Sequence, residues 1–437
     1  MRPLIDRVQR SLRSVPRREL WLLAGAMLAS AAIVVVYVLV TRGHMLAGDE
    51  TEYHRQGVFF TEGKLWYSTT PFGVEHASAW KAPAYPAWVG LWYSLLGSSP
   101  LRVELVQALL APLTVLLSWL LARRLFGPRA AIAAAWVVAL FPLAWENYGL
   151  LFPEALAVPL TMAILLLLLD RRPTIGRTVA IGALLGVSLL LRPSAFFLLA
   201  AAAAAWIVAS GWRRGLGLTA LATLVAVLVV VPWTVRNYVV SDGFIPISVQ
   251  DGAIYGTFNE ESASDPDDPY LWRPTPAGLD RIIDISEPVS DAEFRSRLQG
   301  AGLDYIADHP ASVPKAFLYN GVTRFWDLRP PGDSLAESSF QSRSRTVRAV
   351  GLGAYYLLLP LALIGLWRLR RRREIAMPIV VMALTASLAF TVVAATRYRA
   401  PLEPLIAVLA CSLLAPTRRA GGDHEAPASG HRQSASP

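Results

Sequence analysis

The stretch Leu46–His54, LAGDETEYH, sets two adjacent carboxylates, Asp49 and Glu50, a few residues after an apolar run long enough to cross a bilayer. An acid just outside a membrane can take a proton from a hydroxyl that reacts with a lipid-borne substrate. Acidic residues are also ordinary in solvated loops, so the pair gains meaning only from its surroundings. His44, His54 and His76 lie near it in sequence. Imidazole and carboxylate together suit a transition metal, but their spacing here repeats no metal motif.

Further charges stand next to apolar runs: Lys81 in WKAPAYP, Glu146, Glu154 after Phe152 and Pro153, Arg192 in LLRPS, Arg236, and Arg397 and Arg399 on either side of Tyr398. Charges beside membrane spans are costly unless paired or hydrated, so such a set suggests a site. Each also has an ordinary reading. Lys81 could snorkel at the interface. Glu154 could simply favour the start of a helix. Arg192 could mark a turn. Arg397 and Arg399 are harder to dismiss, because arginines on the outer side run against the positive-inside bias. The arginine fork matches phosphate oxygens. The sequence holds no phosphate-cradling glycine loop, no GxSxG elbow and no dinucleotide fingerprint, so soluble nucleotide-sugar chemistry is unsupported.

Composition dictates the elements that carry these groups. Of 437 residues, 54% are hydrophobic and 17% charged, well below the roughly 25% charged residues of soluble domains. Several apolar runs reach about 17–21 residues, the length of a bilayer crossing. The chain reads as an all-α polytopic membrane protein. The net charge of +9 would suggest nucleic acid in a soluble protein, but the arginines cluster between apolar runs, so topology accounts for them. The one cysteine, Cys411, lies in an apolar run, which leaves no internal disulfide and no cysteine cluster for zinc.

The positive-inside rule then sets the order of elements. Residues 1–19 are basic and cytoplasmic, and the apolar run after them, 20–40, is long for a signal peptide and reads as a retained anchor. Residues 41–101 form an outer loop, with an aromatic juxtamembrane helix at 83–96 lying on the outer surface. Further spans are expected at 102–122, 130–145, 150–169, two within 178–211, and 216–235. Together 20–235 form a transmembrane core. Residues 236–348 are polar and read as an extracytoplasmic domain of about 110 residues, enough for a small core. Within it Ser290 and Glu293 form a capping box that opens a helix ending before Pro310, and 262–270 reads as a loop. Spans at 350–367, 376–395 and 402–416 complete a C-terminal transmembrane segment, 349–416. The tail, 417–437, reads as disordered and cytoplasmic. The count is about ten transmembrane helices with both ends inside, and every unexplained charge falls at the outer face.

Several motifs, in order, resemble the GT-C superfamily of membrane glycosyltransferases. They are GDETEY (48–53), KAPAYP (81–86), ARRLFG (122–127), FPE (152–154), LLRPS (190–194), PWTVRNY (232–238) and RYRAPLEP (397–404). The likeness is to the bacterial branch related to protein O-mannosyltransferases and the lipid A aminoarabinose transferase. It implies transfer of a sugar from a polyprenyl-phosphate donor to a hydroxyl acceptor, whether lipid, glycan or protein, at the outer face of the cell membrane. By the resemblance, Asp49 is the catalytic acid of the first outer loop, Glu50 its neighbour and Glu154 the second acid. Glu154 stands where several relatives carry Asp. Tyr53, Lys81, Arg192, Arg397 and Arg399 are the expected substrate-binding residues, the basic ones on the lipid phosphate. No cofactor is fixed, and a divalent metal is left open, because the family differs internally on metal dependence. The partners implied are the lipid-linked sugar, membrane lipids and the acceptor, with no nucleic acid. The rival reading is a transporter or flippase, which predicts mid-membrane charges and paired repeats, and neither is evident in the sequence.

Overall fold

The computed structural model describes residues 15–169, 173–274, 276, 278–284, 286–338, 342–393 and 395–415. Most of the expected basic N-terminus and the expected disordered tail lie outside the described residues. The principal helices are α1 (Arg17–Val40), α2 (Asp49–Thr61), α3 (Ala84–Leu96), α4 (Pro100–Phe126), α5 (Pro128–Leu140), α6 (Glu154–Leu168) and α7 (Ile175–Leu191). They continue with α8 (Phe197–Ser210), α9 (Trp212–Ser241), α10 (Asp291–Asp308), α11 (Arg345–Arg368), α12 (Arg373–Ala389) and α13 (Glu403–Cys411). Among the described residues the strands are one two-residue antiparallel pair, Tyr67 opposite Ala77 and Ser68 opposite His76.

The first helix shows why this bundle belongs in a membrane. In α1 Ala26, Val34 and Val38 are fully buried, while Trp21, Leu28, Val36 and Val40 on other faces stay exposed. A helix that is apolar all round and buried on one side only needs an apolar solvent for the rest. Among the described residues, five helical stretches are long and apolar enough to cross a membrane: α1, α4, Pro193–Ser210, α9 and α11. A sixth is the pair of α5 with Pro142–Gly149, bent by 77° where Pro142 interrupts the helix. The expected spans at 150–169, 376–395 and 402–416 correspond to shorter helices, α6, α12 and α13, and the first part of 178–211 to α7, of 17 residues. Every residue of α13 is buried, so it fills the bundle centre. Helix α9 runs on through Pro232 to Ser241, so residue 236 falls inside a helix and not at its end.

Close packing needs small residues where helices meet. Gly182 and Gly186 of α7 face α9, where an added Cβ would lie 2.7 Å from the Ala222 carbonyl oxygen and 2.6 Å from Val229 Cβ. This small-xxx-small spacing lets backbones approach without a hydrophobic driving force. The bundle ends are chemically distinct. At one end Arg123 pairs with Glu19, Arg124 caps Leu166, Arg368 caps Leu413 and Arg372 caps Leu125. The last three contacts place cations on carbonyls near helix C-termini. Asp49, Lys81, Glu154, Arg192 and Arg397 meet elsewhere, on the elements that close the opposite ends of these helices.

The 242–344 segment is built from short pieces. Ser290 Oγ accepts from the Glu293 amide as expected, and α10 ends at Asp308 ahead of Pro310. The following helix starts at Ser312–Ala316 and widens into a π-helix at Phe317–Arg324. The expected loop at 262–270 begins inside a short helix, Glu260–Ser264, capped by Asn259, and turns only after it, where Asp265 accepts the amides of Asp267 and Asp268.

Candidate active site

Asp49 is the first residue of α2, set off by Gly48 at φ 54°. The turn aims the carboxylate away from the helix axis toward two cations from distant segments. Lys81 Nζ donates to Asp49 Oδ1 at 2.7 Å, and Arg397 Nη2 donates to Oδ2. Lys81 comes from the loop just before α3, and Arg397 from the 3-10 turn Thr396–Leu402 before α13. Glu154, the first residue of α6, accepts from Arg192 Nη1 at 2.9 Å, and Arg397 Nε stands 3.9 Å from the same oxygen. Arg397 therefore lies between the two acids. The second oxygen of Glu154, Oε2, is buried and accepts no hydrogen bond from the described residues.

Aromatic rings hold the guanidinium groups flat. Arg192 stacks 4.5 Å from the Tyr398 ring, and Arg397 lies 4.4 Å from the Phe152 ring. Tyr398 in turn stacks on Phe390 at 5.0 Å. A side-chain cation over an aromatic face gains attraction and loses freedom, which suits a fixed anion site. Beneath Arg192 lies a pocket lined by Thr161, Ser188, Leu198, Phe390, Tyr398 and Pro401. Its walls come from α6, α7, α8, the end of α12 and the turn before α13.

Burial acts on Asp49 to raise its pKa, but the Lys81 ammonium and the Arg397 guanidinium outweigh it and hold the carboxyl well below the usual range. Asp49 is therefore ionised and doubly paired. Tyr53 sits one turn along α2, its ring 5.5 Å from Lys81 Nζ and edge-on to Tyr85. Burial, with the Asp49 and Glu154 charges nearby, pushes its hydroxyl well above the ordinary range, so it is a neutral phenol. The five residues Asp49, Glu154, Lys81, Arg192 and Arg397 carry one more positive than negative charge, which favours an anionic ligand.

The structure brings together six of the eight residues expected from the sequence: Asp49, Tyr53, Lys81, Glu154, Arg192 and Arg397. The other two point elsewhere. Glu50 accepts the Leu151 amide at 3.0 Å and stands 3.4 Å from His44 Nε2. Helical geometry is the reason, since consecutive helix residues lie about 100° apart and cannot share a partner. Arg399 is fully buried, bonded to Glu403 at 2.6 Å, Asp327 at 3.0 Å and the Phe325 carbonyl at 2.7 Å. It ties the last turn to the 317–328 segment. Glu146 pairs with Arg348 in the same structural manner. Sequence reasoning passed over Tyr398, Phe390 and Phe152. The sequence signal for Tyr398 was its position between two arginines.

Among the described residues, His44, Glu50 and Glu104 form a group that could hold a metal, with one ligand atom each within 4.8 Å of one another. One imidazole and two carboxylates suit a divalent ion. Two of the three already bind within the protein, since Arg343 pairs with Glu104 and the Leu151 amide donates to Glu50. Both carboxylates thus already have partners within the protein.

Residues 80–235 match the family described as dolichyl-phosphate-mannose-protein mannosyltransferase. That stretch holds Lys81, Glu154 and Arg192 but not Asp49 or Arg397. An undecaprenyl phosphate-alpha-4-amino-4-deoxy-L-arabinose arabinosyl transferase of Pseudomonas paraeruginosa is 30% identical over 228 residues, 50% of this chain and 40% of the relative. Its counterpart from Pseudomonas aeruginosa is 30% identical over 195 residues, 42% of this chain and 35% of the relative. The chain thus matches less than half the length of either relative. Among solved structures, the Archaeoglobus fulgidus oligosaccharyltransferase tethered to an acceptor peptide superposes with a TM-score of 0.55 at 15% identity, covering 91% of this chain and 49% of that one. At that identity the likeness concerns fold. Residues 80–235 are thus similar to a membrane mannosyltransferase family, and the chain shares its fold with a solved oligosaccharyltransferase.

Proposed function

We propose that the protein is an inverting glycosyltransferase that moves a sugar from a polyprenyl-phosphate donor to a hydroxyl acceptor at the outer face of the cell membrane. The carrying observation is that Asp49 is held by two cations, Lys81 and Arg397, the second of which also stands beside Glu154. Those cations are what a lipid phosphate would seek. The arginine-rich ends of the bundle supply the sidedness, since arginine marks the cytoplasmic end of membrane helices.

The donor phosphodiester enters with one negative charge and leaves as a monoester with two. Lys81, Arg192 and Arg397 would meet that developing charge. A phosphate seated on Lys81 and Arg397 competes with Asp49 for both. As the cations turn to the phosphate, Asp49 loses the pairing that depresses its pKa and becomes a stronger base. The acceptor oxygen then attacks the anomeric carbon, its proton passes to Asp49, and the bond to the phosphate oxygen breaks with its electron pair on the phosphate. One displacement inverts the anomeric centre. Glu154 keeps Arg192 and Arg397 in register and offers its unpaired Oε2 to a sugar or acceptor hydroxyl.

The test is sugar transfer in membranes from a panel of radiolabelled polyprenyl-phosphate sugars, with wild type and Asp49→Asn compared. Transfer by wild type that collapses in the variant supports the reading and names the sugar. Equal transfer by both removes Asp49 as the base.

A further inference from the structure

Asp291 opens α10 at a helix position where a carboxylate is ordinarily satisfied by the helix itself. Here it serves another segment. Its Oδ2 accepts from Ser78 Oγ at 2.7 Å and from the Ala79 amide at 2.7 Å, and its Oδ1 stands 3.1 Å from His76 Nε2. Asp291 is 3% exposed, so these contacts are made out of water. The rest of the same two-residue stretch is bound as well. Arg236 Nη1 donates to the Ser78 carbonyl at 2.7 Å, the Ser78 amide donates to Trp66, and the Val249 amide donates to the Ala79 carbonyl at 3.1 Å. Every backbone polar group of Ser78 and Ala79 is thereby engaged, chiefly by residues more than 150 positions away. Two residues later stands Lys81, whose ammonium meets Asp49.

A loop with no regular structure would leave a lysine free to search many positions, at a large cost in entropy when it binds. The clamp at Ser78 and Ala79 removes that freedom. A buried carboxylate accepting two short hydrogen bonds is its strongest member, because charge-assisted bonds exceed neutral ones. We propose that Asp291 is a positioning residue: through Ser78 and Ala79 it fixes the backbone that aims Lys81 at Asp49, so that the 242–344 segment sets the geometry of the anion site. The catalytic consequence rests on the transferase reading above, while the positioning itself does not, and the two are tested separately.

The chain contains three lysines, Lys64, Lys81 and Lys315, which makes the measurement direct. Lys81 is buried and ion-paired, while Lys64 and Lys315 are more open. The full-length protein in detergent is reductively methylated, and each lysine is quantified by mass spectrometry. Loss of a charged hydrogen-bond acceptor worth roughly 1.5–3 kcal/mol corresponds to about a tenfold or greater gain in loop opening. Asp291→Asn and Asp291→Ala are expected to speed methylation of Lys81 about tenfold, with Lys64 and Lys315 unchanged and Asp291→Glu partly restoring protection. Ser78→Ala, a milder change that removes one of the bonds, is expected to do the same to a smaller degree and serves if the Asp291 variants do not fold. Lys81 methylation at the wild-type rate in folded variants overturns the proposal. In transfer assays the same variants are expected to raise the donor KM more than they lower kcat. Absence of any transfer by wild type would count against the transferase reading and leave the labelling result to stand for the clamp.

Discussion

Asp49 and Arg397 form an ion pair although 348 residues separate them, and Arg397 stands 3.9 Å from the second acid, Glu154. One guanidinium thus joins the start of the chain's first site element to its last. Arg397→Gln keeps much of the shape and removes the charge from both acids. On the scale of single donors to a developing charge, kcat should fall about 10²–10³-fold. Arg397→Lys should recover only part of this, since an ammonium cannot reproduce the fork. Steady-state transfer kinetics decide it; near wild-type kcat in Arg397→Gln would place the guanidinium outside the reaction.

Glu154 is buried and sits between two arginines. Glu154→Ala leaves both guanidiniums without that partner, which costs on the order of 3–5 kcal/mol when a buried pair is broken. A clear loss of thermal stability in detergent is expected, together with loss of transfer. Glu154→Gln should retain more stability than the alanine. Equal melting temperatures for wild type and Glu154→Ala would show that the pair is not closed in the protein.

Lys81→Met should change the pH profile. Asp49 is held below the usual carboxylate range by Lys81 and Arg397 against the effect of burial. Removing one cation raises the carboxyl pKa, so the ionised base is lost at a higher pH. The acid limb of kcat/KM is expected to move upward in pH relative to wild type. An unchanged acid limb in an active variant would mean that another group controls it.

His76 adds a pH dependence of stability. Its Nδ1 faces the Val74 carbonyl at 3.0 Å and its Nε2 faces Asp291 at 3.1 Å. Both neighbours are acceptors, so only the imidazolium satisfies both. The Asp291 hydrogen bond raises the His76 pKa, against partial burial, with Glu52 adding a nearby negative charge. A raised histidine pKa stabilises the fold fully below the unfolded value of about 6.5, and the contribution is lost as pH rises through the folded value. The melting temperature of His76→Gln should therefore fall below wild type at pH 6 and approach it above pH 8. A difference that stays constant between those pH values would contradict the imidazolium.

Gly186→Val tests the α7–α9 contact apart from the site. An added Cβ would lie 2.6 Å from Val229 Cβ and 2.9 Å from the Ala226 carbonyl oxygen. Overpacking of this kind costs about 1–3 kcal/mol. Lower stability is expected from thermal unfolding in detergent, and Gly176→Val, where nothing lies within 4 Å, should behave like wild type in its packing.

Periodicity and composition carried much of the architecture. Long apolar runs separated by arginines locate helices because backbone polar groups in lipid must be satisfied within each segment. The capping serine at 290 and the break at Arg192 were legible for the same local reason, as caps and prolines act within one turn. Helix lengths were less legible: the bend at Pro142, the extension of α9 to Ser241 and the short buried α13 depend on neighbours. Among the candidate residues, type and order marked Asp49, Lys81, Glu154, Arg192 and Arg397, because unpaired charges next to membrane spans stand out in a sequence.

What the sequence by itself determined is which charges need an explanation. The tertiary structure alone decided how they divide. Arg397 and Arg399 look alike in RYR, yet one reaches Asp49 and the other is locked to Glu403 and Asp327. Asp49 and Glu50 are neighbours, yet they face different partners across the start of α2. Asp291, which reads as an ordinary acid at a helix start, clamps a loop more than 200 residues earlier. Each outcome turns on direction in space, which is set by helix phase and by contacts between segments far apart in the chain, and a linear pattern carries no record of either.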